Sequence, residues 1–310
     1  MFHKTVTRLV PYLPPRLVER IAARYIAGTS ADDALRVVRA LQARGFVTTL
    51  DILGEDTNNL EMAAQAADAY IELLSRLASE GAPRNVSVKL TQLGLRLDEE
   101  VMRRHLTRLL DHARGLQSFV RIDMEDATLT DTTLRIHRKA VESGYKTGTV
   151  LQARLKRTRR DATNLKNASL RLCKGAYKEA SSIAYDRHVD IRKSYMDVFH
   201  TLIDNGCRVA AATHDLKLIA RIRRTMASES IPKDRVEFQA LLGVPIRSTL
   251  ESLREEGYSV RLYVPYGASS MSYSLRRLHE NPELAAAIVK SLFENPQHPY
   301  TKALLAAALR

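Results

Sequence analysis

The stretch from 208 to 222 reads Arg208-Val209-Ala210-Ala211-Ala212-Thr213-His214-Asp215-Leu216-Lys217-Leu218-Ile219-Ala220-Arg221-Ile222. Its first half is a short apolar run that closes on two polar residues, the pattern of a buried strand. Its second half opens on Asp215, whose carboxylate can cap the first free N–H groups of a helix, and then sets Leu216, Ile219 and Ile222 at helical spacing. Strand passes into helix without a gap.

Outward from there, the same event recurs. Apolar β-rich runs lie at Phe46 to Leu53, Asn85 to Leu90, Phe119 to Met124, Thr147 to Gln152, Ser169 to Lys174, Arg208 to His214, Val236 to Leu242 and Val260 to Tyr266. The segments between them carry helical periodicity. Ser30 and Asp33 form a capping-box pattern, and the helix they open bears Leu35, Val38 and Leu41 before Gly45 supplies a stop. Successive strands start roughly 22 to 39 residues apart, the length of a parallel crossover unit. Eight such units predict an α/β fold closed as a (β/α)8 TIM-like barrel. A doubly wound open sheet is the competing architecture, but no strand is followed by the G-x-G-x-x-G turn that usually marks it. Without linkers, repeats or charge blocks, residues 1–310 are read as one domain, with 1–45 as accessory helices.

Composition bounds the function. The chain has 310 residues, 45% of them hydrophobic, which suffices for a large core and rules out dominant disorder. Lys and Arg number 48 against 35 Asp and Glu, so the surface should attract anions. Cys173 and Cys207 sit singly in apolar runs, too few for a disulfide framework, and are read as small buried hydrophobes in a reducing cytosol. No apolar window reaches the roughly 20 residues of a membrane span, and the N-terminus has no secretory layout.

In a (β/α)8 barrel the C-terminal strand ends and the loops after them build the active site. That filter selects Asp51 and Glu55, Lys89, Asp123 and Glu125, Gln152, Arg171 and Lys174, Thr213 and His214, Gln239, and Tyr263. Each singly could be an ordinary solvated residue. Lys89 interrupts an apolar strand and needs a carboxylate or an anionic ligand once buried; Asp123 is the expected partner. Arg171 and Lys174 bracket Cys173 ahead of Gly175-Ala176-Tyr177, a small-residue turn whose backbone N–H groups suit an anion. In the last unit Arg276 and Arg277 are adjacent and could grip one carboxylate from two directions, with Glu280 at i+4 from Arg276; a solvated ion-paired helix reads the same spacing equally well. The basic run Arg154, Lys156, Arg157, Arg159 and Arg160 has no interleaved aromatics, Trp is absent, and a solvated helix start is expected in place of a nucleic-acid site. No histidine spacing suggests a metal.

Taken together, Leu53-Gly54-Glu55, Ser87-Val88-Lys89-Leu90, Ile122-Asp123-Met124-Glu125, Arg171-Leu172-Cys173-Lys174-Gly175-Ala176-Tyr177, Ala212-Thr213-His214-Asp215, Glu237 through Gly243, Tyr263 through Gly267 and Tyr273 through Glu280 form an ordered set. The set resembles the proline dehydrogenases, specifically the short monofunctional bacterial type. The resemblance implies a distorted barrel that binds FAD, oxidises L-proline to Δ1-pyrroline-5-carboxylate and passes electrons to a membrane quinone. It implies that Arg276, Arg277 and Lys89 clamp the proline carboxylate, that Asp123 holds Lys89, that Leu172, Tyr177, Tyr263 and Tyr273 wall the ring, and that Glu280 steadies Arg277 or gates the pocket. For the flavin it implies Arg171 and Gln152 at the ring system. The rest of the cofactor falls to Lys174, Gly175, Ala176, Lys193, Thr213, His214, Gln239 and Leu241, with Asp123, Cys173 and Glu280 nearby. Ala153-Arg154 and Cys173 depart from the residues usual in that pattern.

The same resemblance implies that the product goes to a separate pyrroline-5-carboxylate dehydrogenase, since no segment is left over for one. It also implies a cytoplasmic protein peripheral to the inner face of the membrane, for which Leu304 to Leu309 offers a contact segment. Two other classes stay open on the residues alone: a Schiff-base aldolase using Lys89, and a non-enzymatic anion- or RNA-binding barrel.

Overall fold

The computed structural model describes residues 25–267, and the barrel lies in one compact unit, Ala27–Ala268. Its elements are α1 (Ala31–Gln42), β1 (Val47–Ile52), α2 (Leu60–Ser79), β2 (Asn85–Val88), α3 (Glu99–Gly115), β3 (Phe119–Ile122), α4 (Thr130–Glu142) and β4 (Thr147–Gln152). They continue with α5 (Thr158–Thr163), β5 (Ser169–Cys173), α6 (His188–Asp204), β6 (Arg208–Ala212), α7 (Leu216–Ser228), β7 (Val236–Leu241), α8 (Arg247–Glu255) and β8 (Ser259–Tyr266). The strands pair in sequence order, all parallel, and β8 closes on β1 with Val47 opposite Arg261 through Ile52 opposite Tyr266.

Local chemistry sets these boundaries. Ser30 and Asp33 make both halves of the capping box at the start of α1. Gly45 adopts φ +79°, a conformation open to glycine, and there the chain leaves the helix and enters β1. Asp215 caps α7 through the N–H groups of Lys217 and Leu218. Each sequence-derived run survives as a strand, but most strands end one or two residues early. The trimmed residues, among them Lys89, Asp123, Lys174, Thr213 and His214, stand just beyond their strands at the mouth.

Strand alternation then divides the side chains. Val86 and Val88, Val120 and Ile122, Leu170 and Leu172, and Phe238 and Ala240 are buried on the side that meets the helices. The other face turns inward and is polar, with Ser87, Arg121, Arg171, Glu237, Gln239 and Arg261 where a barrel of this class usually stacks branched aliphatics. Ala210 and Ala212 of β6 lie in register with Arg171 and Cys173, so small residues stand beside the lumen arginine. α1, expected among accessory helices, instead belongs to the barrel: Ala34, Leu35 and Val38 share a core cluster with Leu50, Val86 and Tyr70.

Candidate active site

Lys89 is 9% exposed and donates from Nζ to Asp51 Oδ1 at 2.9 Å, and Asp51 at the end of β1 is wholly buried. The expected partner, Asp123, is engaged elsewhere. Arg171 reaches across the lumen from β5 and donates from Nη1 to Asp123 Oδ1 at 2.7 Å, while the Tyr263 hydroxyl donates to Asp123 Oδ2 at 3.1 Å. β2 lies between β1 and β3, so either aspartate was within reach of Lys89. Arg171 makes the choice by claiming Asp123. Its other nitrogens go to Gln239 Oε1 at 2.7 Å and Ser87 Oγ at 3.0 Å, and its guanidinium carbon lies 5.2 Å from the Tyr263 ring centre, a cation–π contact.

These charges feel their burial. Burial pushes the Asp51 carboxyl above the ordinary carboxylate range, and the charge of Asp123 adds to the rise against the pull of Lys89. Glu125 is also raised by burial, although the N–H and hydroxyl of Thr91 both donate to it. Among the described residues, Lys89 and Arg171 share the mouth with the buried carboxylates of Asp51, Asp123 and Glu125.

Beside this cluster, the loops after β4, β5 and β6 form the second half of the site. Gln152 donates from Nε2 to the Glu125 carbonyl at 2.8 Å. Gly175 has φ +108°, and a Cβ there would meet Arg154 Cβ and Gln152 Oε1 at 3.2 Å, so the backbone runs close over both. Lys174 and Arg192 converge on Asp215 Oδ2 at 3.3 and 2.7 Å, each about one-third exposed. Burial alone would raise the Asp215 carboxyl, but Arg192 and Lys174 hold it below its ordinary value. The Leu241 N–H donates to His214 Nε2 at 3.0 Å, and the Thr213 N–H donates to the Gln239 carbonyl at 3.2 Å, tying the ends of β6 and β7 together.

Three sequence expectations change here. Leu172 follows Arg171 on β5 and therefore faces the helices, fully buried, with the Tyr195 hydroxyl on its carbonyl; it is not placed to wall a lumen ligand. Lys193 is exposed on α6, and its neighbour Arg192 is the residue that reaches Asp215. The basic run after β4 is not simply solvated. Arg154 donates to the Tyr177 carbonyl, Lys156 to the carbonyls of Ser181 and Ser182, and Arg157 to Asp131 and Asp161. Cys207 is buried as expected, whereas Cys173 is half-buried at the rim. Ala176 and Tyr177 are half-buried in the same loop. Tyr273, Arg276, Arg277, Glu280 and the segment Leu304 to Leu309 lie outside the described residues. No group of three or more metal-ligating side chains occurs among the described residues.

A closed barrel with a polar lumen, its mouth beside loops that present cations and backbone, has the layout of a catalytic (β/α)8 protein. The family model for proline dehydrogenase matches residues 34–288. Proline dehydrogenase 1 of Bacillus subtilis is 34% identical over 295 residues, covering 94% of this chain and 96% of that protein. The proline dehydrogenase of Deinococcus radiodurans is 34% identical over 281 residues, covering 88% and 90%. The solved structure of proline utilization A from Bdellovibrio bacteriovorus, inactivated by N-propargylglycine, superposes with a TM-score of 0.79 at 25% identity over 93% of this chain; this chain spans 35% of that one. Proline utilization A from Corynebacterium freiburgense shares the fold, with a TM-score of 0.74 at 20% identity. The chain belongs to the proline dehydrogenase family, a family of oxidoreductases.

Proposed function

We propose that this chain oxidises L-proline to Δ1-pyrroline-5-carboxylate with bound FAD and passes the electrons to a membrane quinone. The observation that carries the reading is the buried Lys89–Asp51 pair beside the Arg171–Asp123–Tyr263 cluster, two cations fixed in place at the mouth of the barrel. Lys89 would bind the carboxylate of proline, joined by Arg276 and Arg277, with Tyr263, Tyr177 and Tyr273 against the ring. An anchor of this kind fixes the ring carbon beside nitrogen in one place, and orientation is most of what a hydride transfer asks of the protein.

The residues present fit a flavin dinucleotide. Lys174 and Arg192, each about one-third exposed on one shared carboxylate, suit a pyrophosphate, and the close-lying Gly175 backbone suits a ligand that needs N–H groups without a side chain between. Thr213, His214, Ala176, Gln239 and Leu241 would line the rest of the dinucleotide, and Gln152 and Arg171, with Cys173 nearby, would face the ring system. Bound FAD would supply the hydride acceptor. Arg171, already balanced by Asp123, would meet negative charge at that end without being left unpaired.

The aldolase reading is weakened by the same geometry. A lysine whose Nζ is engaged at 2.9 Å by a buried carboxyl group is not presented as the free amine that a Schiff-base nucleophile needs. The product would leave for a separate dehydrogenase. Approach to the quinone would be peripheral, helped by the positive balance of the chain. The test is the visible absorbance of the purified protein before and after anaerobic addition of L-proline. A flavin spectrum that bleaches on addition is expected; a colourless protein that takes up no FAD would end this reading.

A further inference from the structure

Tyr70 is fully buried on α2, in the stripe Ala63, Ala67, Tyr70, Leu73, Leu74 and Leu77 that faces the barrel. Its hydroxyl leaves that apolar stripe. It accepts from the Ile52 N–H at 3.1 Å and lies 3.3 Å from Asp51 Oδ1, with the Ile52 carbonyl and Gln92 Oε1 at 3.4 Å. Of these three acceptors the carboxylate carries the charge and offers the strongest bond. Asp51 Oδ1 is the same oxygen that Lys89 grips. The phenol stays protonated, since burial and the adjacent Asp51 charge push its titration well above the ordinary tyrosine value.

We propose that Tyr70 is a positioning residue for Lys89: by donating to Asp51 Oδ1 it fixes the carboxylate that in turn holds the lysine ammonium at the mouth. The inference rests on the reading of Lys89 as the anchor for the substrate carboxylate. Three parts of the fold converge on one oxygen, α2 through Tyr70, β1 through Asp51 and the end of β2 through Lys89. A carboxylate held by two donors has fewer rotamers than one held by Lys89 alone, so the ammonium is presented in one place. Tyr70 also stabilises the ionised form of Asp51 against its burial, and that negative charge keeps Lys89 a cation.

The experiment uses the FAD-loaded enzyme with Tyr70→Phe, Lys89→Met and the double variant, and Asp51→Asn as a second entry to the same line. Two readouts are taken: steady-state kinetics with L-proline, and trace acetylation of the Lys89 amine across a pH series, quantified by mass spectrometry. In Tyr70→Phe the proline KM should rise roughly threefold to tenfold with kcat held within about twofold, and Lys89 acetylation should reach its midpoint at lower pH. Asp51→Asn should shift that midpoint further. In the Lys89→Met background, Tyr70→Phe should add almost nothing, because its route runs through the lysine.

An unmoved Lys89 midpoint in Tyr70→Phe, or an equal KM penalty with and without Lys89, would overturn the proposal and reduce Tyr70 to a packing residue. If Tyr70→Phe does not fold, Asp51→Asn with an unmoved midpoint overturns it equally. A Lys89→Met enzyme with unchanged proline KM would instead overturn the substrate-anchor reading, while the acetylation midpoints still decide the link from Tyr70 to Lys89.

Discussion

The barrel holds two buried charge clusters, one toward each end of its lumen, and they are built on opposite plans. Toward the N-terminal ends of the strands, Glu237 is saturated: Arg261 holds it from Nε at 2.7 Å and Nη2 at 3.0 Å, Gln239 Nε2 adds a bond at 2.7 Å, and Ser259 adds one at 3.0 Å. Arg121 spends its Nη1 on the carbonyls of Thr149 and Ser169 at 3.1 and 2.9 Å, and burial, with Arg171 nearby, lowers its titration to about 9. At the mouth, Lys89 and Arg171 are each held by an aspartate, yet Asp51 Oδ2 has no hydrogen-bond partner among the described residues and the pairs are spread around the opening. At the closed end both Glu237 oxygens are engaged while Arg121 Nε finds no partner among the described residues; at the mouth it is a carboxylate oxygen that is left open. The two clusters share a link, because Gln239 donates to Glu237 and accepts from Arg171.

The strongest way to break the comparison is to unbalance the closed end. Arg261→Met leaves Glu237 buried without its bidentate partner and should cost about 3–5 kcal/mol of stability, read by chemical denaturation, with the proline KM of the surviving fold unchanged. An equal loss of proline affinity would show that the two ends do not divide their labour.

Next in size is an acid effect behind the closed end. His137 is buried on α4 with neither ring nitrogen hydrogen-bonded among the described residues, and burial followed by the Arg121 charge lowers its titration to about 4. The folded state therefore favours the neutral ring. Its stability contribution is fully present above the unfolded value of 6.5 and is lost as pH falls toward about 4. His137→Leu should flatten the fall in melting temperature over that window and gain about 2 kcal/mol relative to the parent near its lower end. A parallel fall in both proteins would remove His137 as its source.

The smallest effect belongs to the open end. Gly175→Ala forces a Cβ into a φ +108° site against Arg154 and Gln152, a strain of about 1 kcal/mol that should fall on the loop, not on global unfolding. FAD retention should weaken about fivefold with the melting of the apoprotein nearly constant. Unchanged retention would separate this loop from the cofactor.

The barrel was legible because polar residues stand at or just beyond most strand ends and several helices start or stop on a recognisable cap, as at Ser30, Gly45 and Asp215. The mouth was legible for the same reason, since Lys89 and Asp123 are polar breaks after apolar strands. Partnership was not. Asp51 and Asp123 stand on the two neighbours of β2, and only the reach of Arg171 across the lumen decides between them. Tyr70 escaped notice because on an apolar helical stripe it reads as an ordinary core aromatic. Arg192 escaped because its partner Asp215 was already explained as a helix cap; the carboxylate does both, capping through Oδ1 and pairing through Oδ2.

The loop after β4 and the loop after β5 are stitched along their backbones. Arg154 N–H donates to the Lys174 carbonyl, Tyr185 N–H to the Arg154 carbonyl and Lys156 N–H to the Ile183 carbonyl, and the side chains of Arg154 and Lys156 add further donors to Tyr177, Ser181 and Ser182. Neither loop can be exchanged alone. In a chimera built from two members of the family, residues 153–157 and 174–185 form a single unit of inheritance, to be transplanted together or left in place.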